Sequence, residues 1–478
     1  MPNSIYDIIV IGAGSGGLSV SLFMNKVGLK TLLIDKSDKR IGGDCLNFGC
    51  VPSKALIHVS RVIHETNEAL KFGVNQNNKP NIAKATEYVL SRQSIIRKHE
   101  NAEYLRSEGL DVALGIASFI SKDEVKVNDI VYKGKKIVIA AGSYPTKLKV
   151  PGVEKVKYYD NESIFDIRQL PAKILMVGGG PIGVEIGQAL RRLGSNITIL
   201  QKGDAILPKE DKEISNVLME KLKEENIEFI MNASVKSFAD ANTVIVENKR
   251  GEKIQLKFDA VFVGIGRSFD LESLQLDKAG IVVKDGIIQS NAYLQTSNKN
   301  VYVCGDIAGS LKFSHAAEQH ERLLLNNFFS PLKKKLKIDH MSWVTFTDPE
   351  VATFGLQEKQ LKERNIDFEK LNLNFDGDDR AIIDDYRYGK LILFISKKGF
   401  LRKQKILGGT MIAPHAGELI EELILANEAG LSINHFFNKI YPYPVASRVN
   451  QQIIVHHRQK SLDDNLKKLL RRAYKILG

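Results

Sequence analysis

Three cysteines in 478 residues cannot form a disulfide framework, so a reducing, cytoplasmic setting is expected and any paired thiols are read for chemistry. With 43% hydrophobic and 26% charged residues, the composition is that of a globular protein with cored domains, which excludes a disordered or fibrous chain. The net charge of +12 gathers partly in KKKLK (333–337) and KKLLRRAYK (467–475); such runs read as solvated faces, which favours anionic ligands but not nucleic acid.

The chain opens on the apolar run IYDIIVI (5–11), which reads as a buried parallel strand. It lacks the positive flank of a signal peptide and is soon broken by glycines, so no membrane span is expected. Gly12, Gly14 and Gly17 follow in a G-x-G-x-x-G pattern, then an apolar helix over 18–27 and a strand ending at Asp35. Strand, turn, helix, strand and terminal acid together make a dinucleotide fingerprint: the glycines admit a pyrophosphate to the helix N-terminus, and the acid holds a ribose hydroxyl.

Next comes IGGDCLNFGCVPSK (41–54), with Cys45 and Cys50 five residues apart. In a regular helix that spacing alone separates two residues by roughly 7.5 Å along the axis. A disulfide tolerates Cα atoms only to about 7 Å. A bridge therefore needs irregular backbone before the helix settles, and Gly49 and Pro52 stand where such a break is permitted. Cys50 at the helix start, with Lys54 one turn on, is placed for a stabilised thiolate. A redox pair is the preferred reading; two inert buried thiols remain the alternative, and a metal site lacks the second Cys/His pair it requires.

The grammar recurs at 173–200: a strand, Gly178, Gly180 and Gly183, a helix and a second strand. Two cradles imply two dinucleotides, and electron transfer between FAD and a nicotinamide is the economical reason to bind both. Here the terminal acid is replaced by Gln201 and Lys202, which leans toward NADPH over NADH. Cys304, in the apolar run 301–304, reads as packing. Leu462, Leu466, Leu469, Leu470 and Ala473 recur at helical spacing near the end; Ser461 with Asp464 reads as the cap, and the stripe is expected to pack on its own protein rather than touch a membrane.

GGDCLNFGCVPSK resembles the G-G-x-C-x-N-x-G-C-x-P-S-K signature of the flavoprotein disulfide reductases (class I pyridine nucleotide-disulfide oxidoreductases), and the likeness extends over essentially the whole chain. IVIAAGSYP (137–145) resembles their flavin-contacting segment, with Ala141 where Thr is usual; VGIGRSFD (263–270) resembles the motif closing the nicotinamide domain, without its Pro-Asn; VYVCGDI (301–307) resembles the Gly-Asp motif. The resemblance implies an α/β protein with two Rossmann-like domains, for FAD and NAD(P), and a C-terminal α+β dimerisation domain. The implied segments are 1–150 and 286–340 for FAD, 151–285 for NAD(P), and 341–478 for an interface that makes a homodimer. It further implies that Ala117, Gly142, Gly266 and Asp306 contact cofactor. Cys45 would meet the acceptor, Cys50 would face the flavin, and Lys54 would pair with Glu185 near flavin and nicotinamide.

The segment IYPYPVASRVNQ (440–451) departs from the disulfide-reducing members, whose H-P-T-x-x-E supplies a His–Glu dyad. Tyr443 and Arg448 occupy those two positions, and His435, His456 and His457 do not match the spacing. A phenol is a poor base at neutral pH. Tyr443 suits a thiolate-bound metal, as in mercuric reductases, although no cysteine follows Cys304 to deliver one. The expected activity is NAD(P)H oxidation through FAD and the Cys45–Cys50 disulfide to such a metal or an atypical disulfide. Dihydrolipoamide dehydrogenase activity and a low-turnover redox sensor are the alternatives.

Overall fold

The computed structural model describes residues 5–74, 79–309, 311–397, 403–460 and 462–477. The chain divides into two compact units, residues 1–204 with 225–337, and Ala205–Glu224 with Ile338–Gly478.

In the first unit, β1 (Ile5–Ile11) is central to a seven-stranded sheet and is followed by α1 (Ser15–Lys26) and β2 (Thr31–Asp35). The short helix α2 (Gly43–Asn47) and the long helix α3 (Cys50–Glu68) come next, then β3 (Asp111–Leu114), β4 (Ala117–Phe119), β5 (Glu124–Val127) and β6 (Ile130–Ile139). The order is β3-β2-β1-β6-β5-β4; the first four run parallel, and β5 and β4 continue antiparallel. The strand Val301–Val303 returns from far downstream to pair in parallel with β6, Val301 opposite Ile137. Ile8, Ile9 and Val10 are fully buried, which is why β1 reads as an unbroken apolar run: both faces of the sheet are covered.

A second sheet in the same unit is parallel throughout, ordered Glu228–Met231, Asn196–Gln201, Lys173–Val177, Ala260–Val263, Tyr158–Tyr159. The helix Pro181–Arg192 links its central pair of strands, and a three-stranded antiparallel meander over 233–257 sits beside it in sequence.

The second unit is built on a five-stranded antiparallel sheet, ordered Ser342–Thr345, Glu350–Gly355, Ile406–Ala413, Lys390–Ser396, Phe368–Asn374. Phe354, Phe375 and Leu393 form its core with Val449, Ile453 and Ile454 of the helix Val449–Lys460. The helix Lys212–Glu224 belongs to this unit although the strands flanking it in sequence belong to the first. The Glu210 carboxylate, half-buried just before that helix, accepts the Trp343 indole N–H at 2.6 Å and the Thr353 hydroxyl.

None of the residues of the helix Asp464–Leu477 is buried within the protomer, against the expectation that its stripe packs on its own protein. Val449, Ile453 and Ile454 already supply the helical cover that the sheet's core takes. Ser461 lies outside the described residues; the Asp463 carboxylate instead accepts the Leu466 N–H at 2.7 Å and caps the first turn. Among the described residues, no helix is long and apolar enough to cross a membrane.

Candidate active site

At the end of β1 the chain turns sharply into α1. A Cβ on Gly17 would lie 1.9 Å from the Gly12 carbonyl oxygen, so only glycine lets α1 start this close to the strand. Asp35, ending β2, accepts the Ala13 N–H at 2.7 Å through one carboxylate oxygen, and burial pushes its pKa up. The second cradle repeats the arrangement. A Cβ on Gly183 would lie 2.0 Å from the Gly178 carbonyl oxygen, and Gln201 accepts the Gly179 N–H at 3.0 Å across the same 22-residue span as Asp35 to Ala13. Gln201 thus replaces the carboxylate in its structural bond without its charge, and Lys202 beside it is exposed. A Cβ on Gly180 would meet nothing within 4 Å, leaving open space at the N-terminus of the Pro181–Arg192 helix.

The cysteine stretch is joined to the first cradle. The Gly42 N–H donates to the Ala13 carbonyl at 2.9 Å, and a Cβ on Gly43 would lie 2.5 Å from the Gly14 Cα. Gly43 therefore admits no side chain beside Gly14, whereas a Cβ on Gly14 would lie an ordinary 3.7 Å from the Gly43 Cα. Cys45 lies in α2 and Cys50 opens α3, with Phe48 and Gly49 in non-helical backbone between them. The regular spacing is broken where the sequence reading required. Asn47 fastens the loop, donating to the Gly43 carbonyl at 2.8 Å and the Ile41 carbonyl at 3.1 Å.

Both thiols are free, Cys45 half-buried and Cys50 exposed. The hydrogen bond from Cys45, the Ser314 hydroxyl and the Lys54 ammonium outweigh burial at Cys50 and bring its pKa down to about 6. The same bond, with burial, pushes Cys45 up. These groups favour the charge on Cys50, with Cys45 as the thiol that donates to it. Ser314 opens the helix Ser314–Phe329, with its oxygen 3.4 Å from the Cys50 sulfur. Lys54, one turn into α3, donates to the buried Glu185 of the Pro181–Arg192 helix at 2.8 Å.

Asp306 lies in the turn Gly305–Ala308 and accepts the Ser143 hydroxyl. Arg267 gathers this region: it donates to the Ser143 hydroxyl at 2.6 Å and carbonyl at 2.8 Å, pairs with Asp44 at 3.1 Å and lies 3.6 Å from Asp306. Burial pushes the Asp44 carboxyl up, and Arg267 offsets part of that rise. His320, brought down to about 4 by burial, is neutral and accepts the Gly305 N–H on Nδ1 at 3.1 Å, fixing the turn. Cys304 is packing, as read: it is buried, and its sulfur would clash at 2.6 Å with any Cβ on Gly16.

Gly142 follows the same strand end that carries Ala140, and a Cβ there would meet nothing within 4 Å. Gly266 has φ +127°, and its carbonyl accepts the Thr146 N–H at 3.0 Å. Ala117 is buried in β4 opposite Val127. Tyr443 is 67% exposed in the second unit; its hydroxyl donates to Asp379 at 3.0 Å, Arg448 lies 5.4 Å from its ring, and the bond to Asp379 raises its pKa. His435 and His456 are exposed. The sequence reading missed Ser314, Ser143 and the joining role of Arg267 and Asp44. Asp44, Ser143 and Arg267 stand inside IGGDCLNFGCVPSK, IVIAAGSYP and VGIGRSFD; nothing in the local pattern marks Ser314.

Residues 6–320 match the model of the family described as pyridine nucleotide-disulphide oxidoreductase, and residues 341–453 match that family's dimerisation domain. The chain is similar to a mercuric reductase of Staphylococcus aureus, 29% identical over 451 residues that span 92% of this chain and 80% of that one. It is similar to a dihydrolipoyl dehydrogenase of Chlamydia trachomatis, 30% identical over 466 residues that span 94% and 96% of the two. Among solved structures it is similar to the HOCl-induced flavoprotein disulfide reductase RclA from Escherichia coli, with a TM-score of 0.82 and 25% identity over 94% of this chain and 99% of that one. A Cu(II) complex of RclA matches with a TM-score of 0.83.

Proposed function

This chain belongs to the pyridine nucleotide-disulphide oxidoreductase family, and on that premise we propose that it oxidises NADPH and delivers two electrons through Cys45 and Cys50 to a soft metal ion held by thiolates. The family is FAD-dependent, and the first cradle fits that group: the close Gly12–Gly17 approach opens the N-terminus of α1, as a pyrophosphate requires. Gly12, Gly14 and Gly17 would hold the FAD pyrophosphate, Asp35 its ribose, and Ala117, Gly142 and Asp306 other parts of it, whereas Gly266 would border the nicotinamide dinucleotide. Gly178, Gly180 and Gly183 would hold the nicotinamide dinucleotide, with Lys202 available to a 2′-phosphate. Bound FAD supplies the two-electron relay between nicotinamide and disulfide.

The chain's own residues account for the rest. Reduction of the Cys45–Cys50 disulfide by two electrons and one proton leaves one thiol and one thiolate. Ser314 and Lys54 favour the charge on Cys50, which leaves Cys45 to bind the acceptor. Glu185 holds Lys54 in place. A disulfide acceptor would release a thiolate needing a proton, whereas a metal released as the element needs none.

The carrying observation is Tyr443: its hydroxyl is committed to Asp379 and its pKa is raised, so it stays protonated and is no base, while Arg448 stands beside it in place of an acid. A homodimer, in which Tyr443 faces the partner's cysteines, and a cytoplasmic setting complete the reading. The test is NADPH oxidation by purified holoenzyme with Hg(II) in excess thiol and with lipoamide. Metal turnover well above lipoamide turnover is expected. The reverse order would sink the metal reading and make the protein a dihydrolipoamide dehydrogenase with another proton donor.

A further inference from the structure

We propose that the helix Asp464–Leu477 is a peripheral anchor that lays its apolar face on an anionic lipid surface. On a helical projection, Leu466, Leu469, Leu470, Ala473, Ile476 and Leu477 share one face, and all but Ala473 are 37% to 86% exposed. The opposite face carries Lys467, Lys468, Arg471, Arg472 and Lys475, against the one acid Asp464 within the helix. Lys467 borders one edge of the stripe and Arg472 the other, where long side chains bury their stems and reach lipid phosphates.

Fourteen residues make a helix about 21 Å long, short of the bilayer core, so the geometry suits lying in the interface and not crossing it. Charge decides between occupants. A second copy of this helix would bring the same five cations, with one acid, against this one, whereas an anionic leaflet complements them.

The experiment is co-sedimentation of FAD-loaded enzyme with phosphatidylcholine vesicles made with and without phosphatidylglycerol. Binding is expected only to the phosphatidylglycerol vesicles and should weaken as salt is raised. The double substitution Lys468→Gln, Arg472→Gln should lower partitioning about 30-fold, from roughly 1 kcal/mol per cation. Leu469→Gln with Leu470→Gln should lower it as well, and both variants should retain NADPH oxidation and the elution volume of the unaltered protein. Three results would overturn the proposal: no binding to anionic vesicles, undiminished binding by both variants, or an altered oligomeric state in the Leu variant. The last would make the stripe a protein contact.

Discussion

Cys50 occupies the first turn of α3, where the helix dipole favours a thiolate, and three named groups reinforce it: Cys45, Ser314 and Lys54. Their order of influence makes a test. In the reduced enzyme, alkylation of Cys50 should rise with pH through about 6, far below the ordinary thiol value of 9.0. Cys45→Ala should move that inflection up the most and Ser314→Ala less, because the Cys45 hydrogen bond is the larger cause. An inflection unmoved by Cys45→Ala would remove the thiol–thiolate pair from the account. The same shift has a consequence for stability. Between about 6 and 9.0 the unfolded chain binds a proton at Cys50 that the reduced fold does not, so reduced-enzyme stability rises with pH across that window. Cys45, whose pKa is raised, acts in the opposite sense only above its ordinary value.

The two cradles are one element used twice, and their glycines are required for the same reason. Gly17→Ala and Gly183→Ala each drive a methyl group into a backbone oxygen, at 1.9 and 2.0 Å. Each should destabilise by about 1–3 kcal/mol, as overpacking does. Their functional effects should separate: Gly17→Ala should purify with reduced flavin content, whereas Gly183→Ala should keep its flavin and raise the KM for NADPH. Equal flavin loss in both would mean the cradles are not independent. These elements were legible in the sequence because strand, glycine pattern, helix and terminal polar residue are contiguous. The sequence also located the backbone break between the cysteines, since a five-residue spacing in regular helix cannot bring two sulfurs together. Ser314 was not legible. It reaches Cys50 only because the Val301–Val303 strand returns to pair with β6 and leads into the helix whose first residue meets the Cys50 sulfur, and no local pattern encodes that long-range pairing. The Asp464–Leu477 helix shows the converse: periodicity gave its stripe correctly, but periodicity does not say what covers it.

On the scale of the whole molecule, the two units divide the proposed chemistry. The cysteines, Lys54, Glu185 and both cradles lie in the first unit, and Tyr443 lies in the second. Residues 341–453 match the family's dimerisation domain, and Tyr443 is exposed on its own protomer, which supports a role toward a partner's site. Mixed dimers test that division directly. A Cys45→Ala subunit lacks its thiol, and a Tyr443→Ala subunit lacks its phenol. If Tyr443 acts on the partner, a dimer of one with the other contains one site missing both groups and one site missing neither. Random reassortment of equal amounts should then restore metal-dependent NADPH oxidation to about a quarter of the unaltered rate, since half the dimers are mixed and each carries one intact site. If Tyr443 served its own protomer, every site in the mixture would lack one group and reassortment would restore nothing. The measurement is turnover before and after subunit exchange, with dimer content followed by size exclusion so that recovered activity is not confused with recovered assembly.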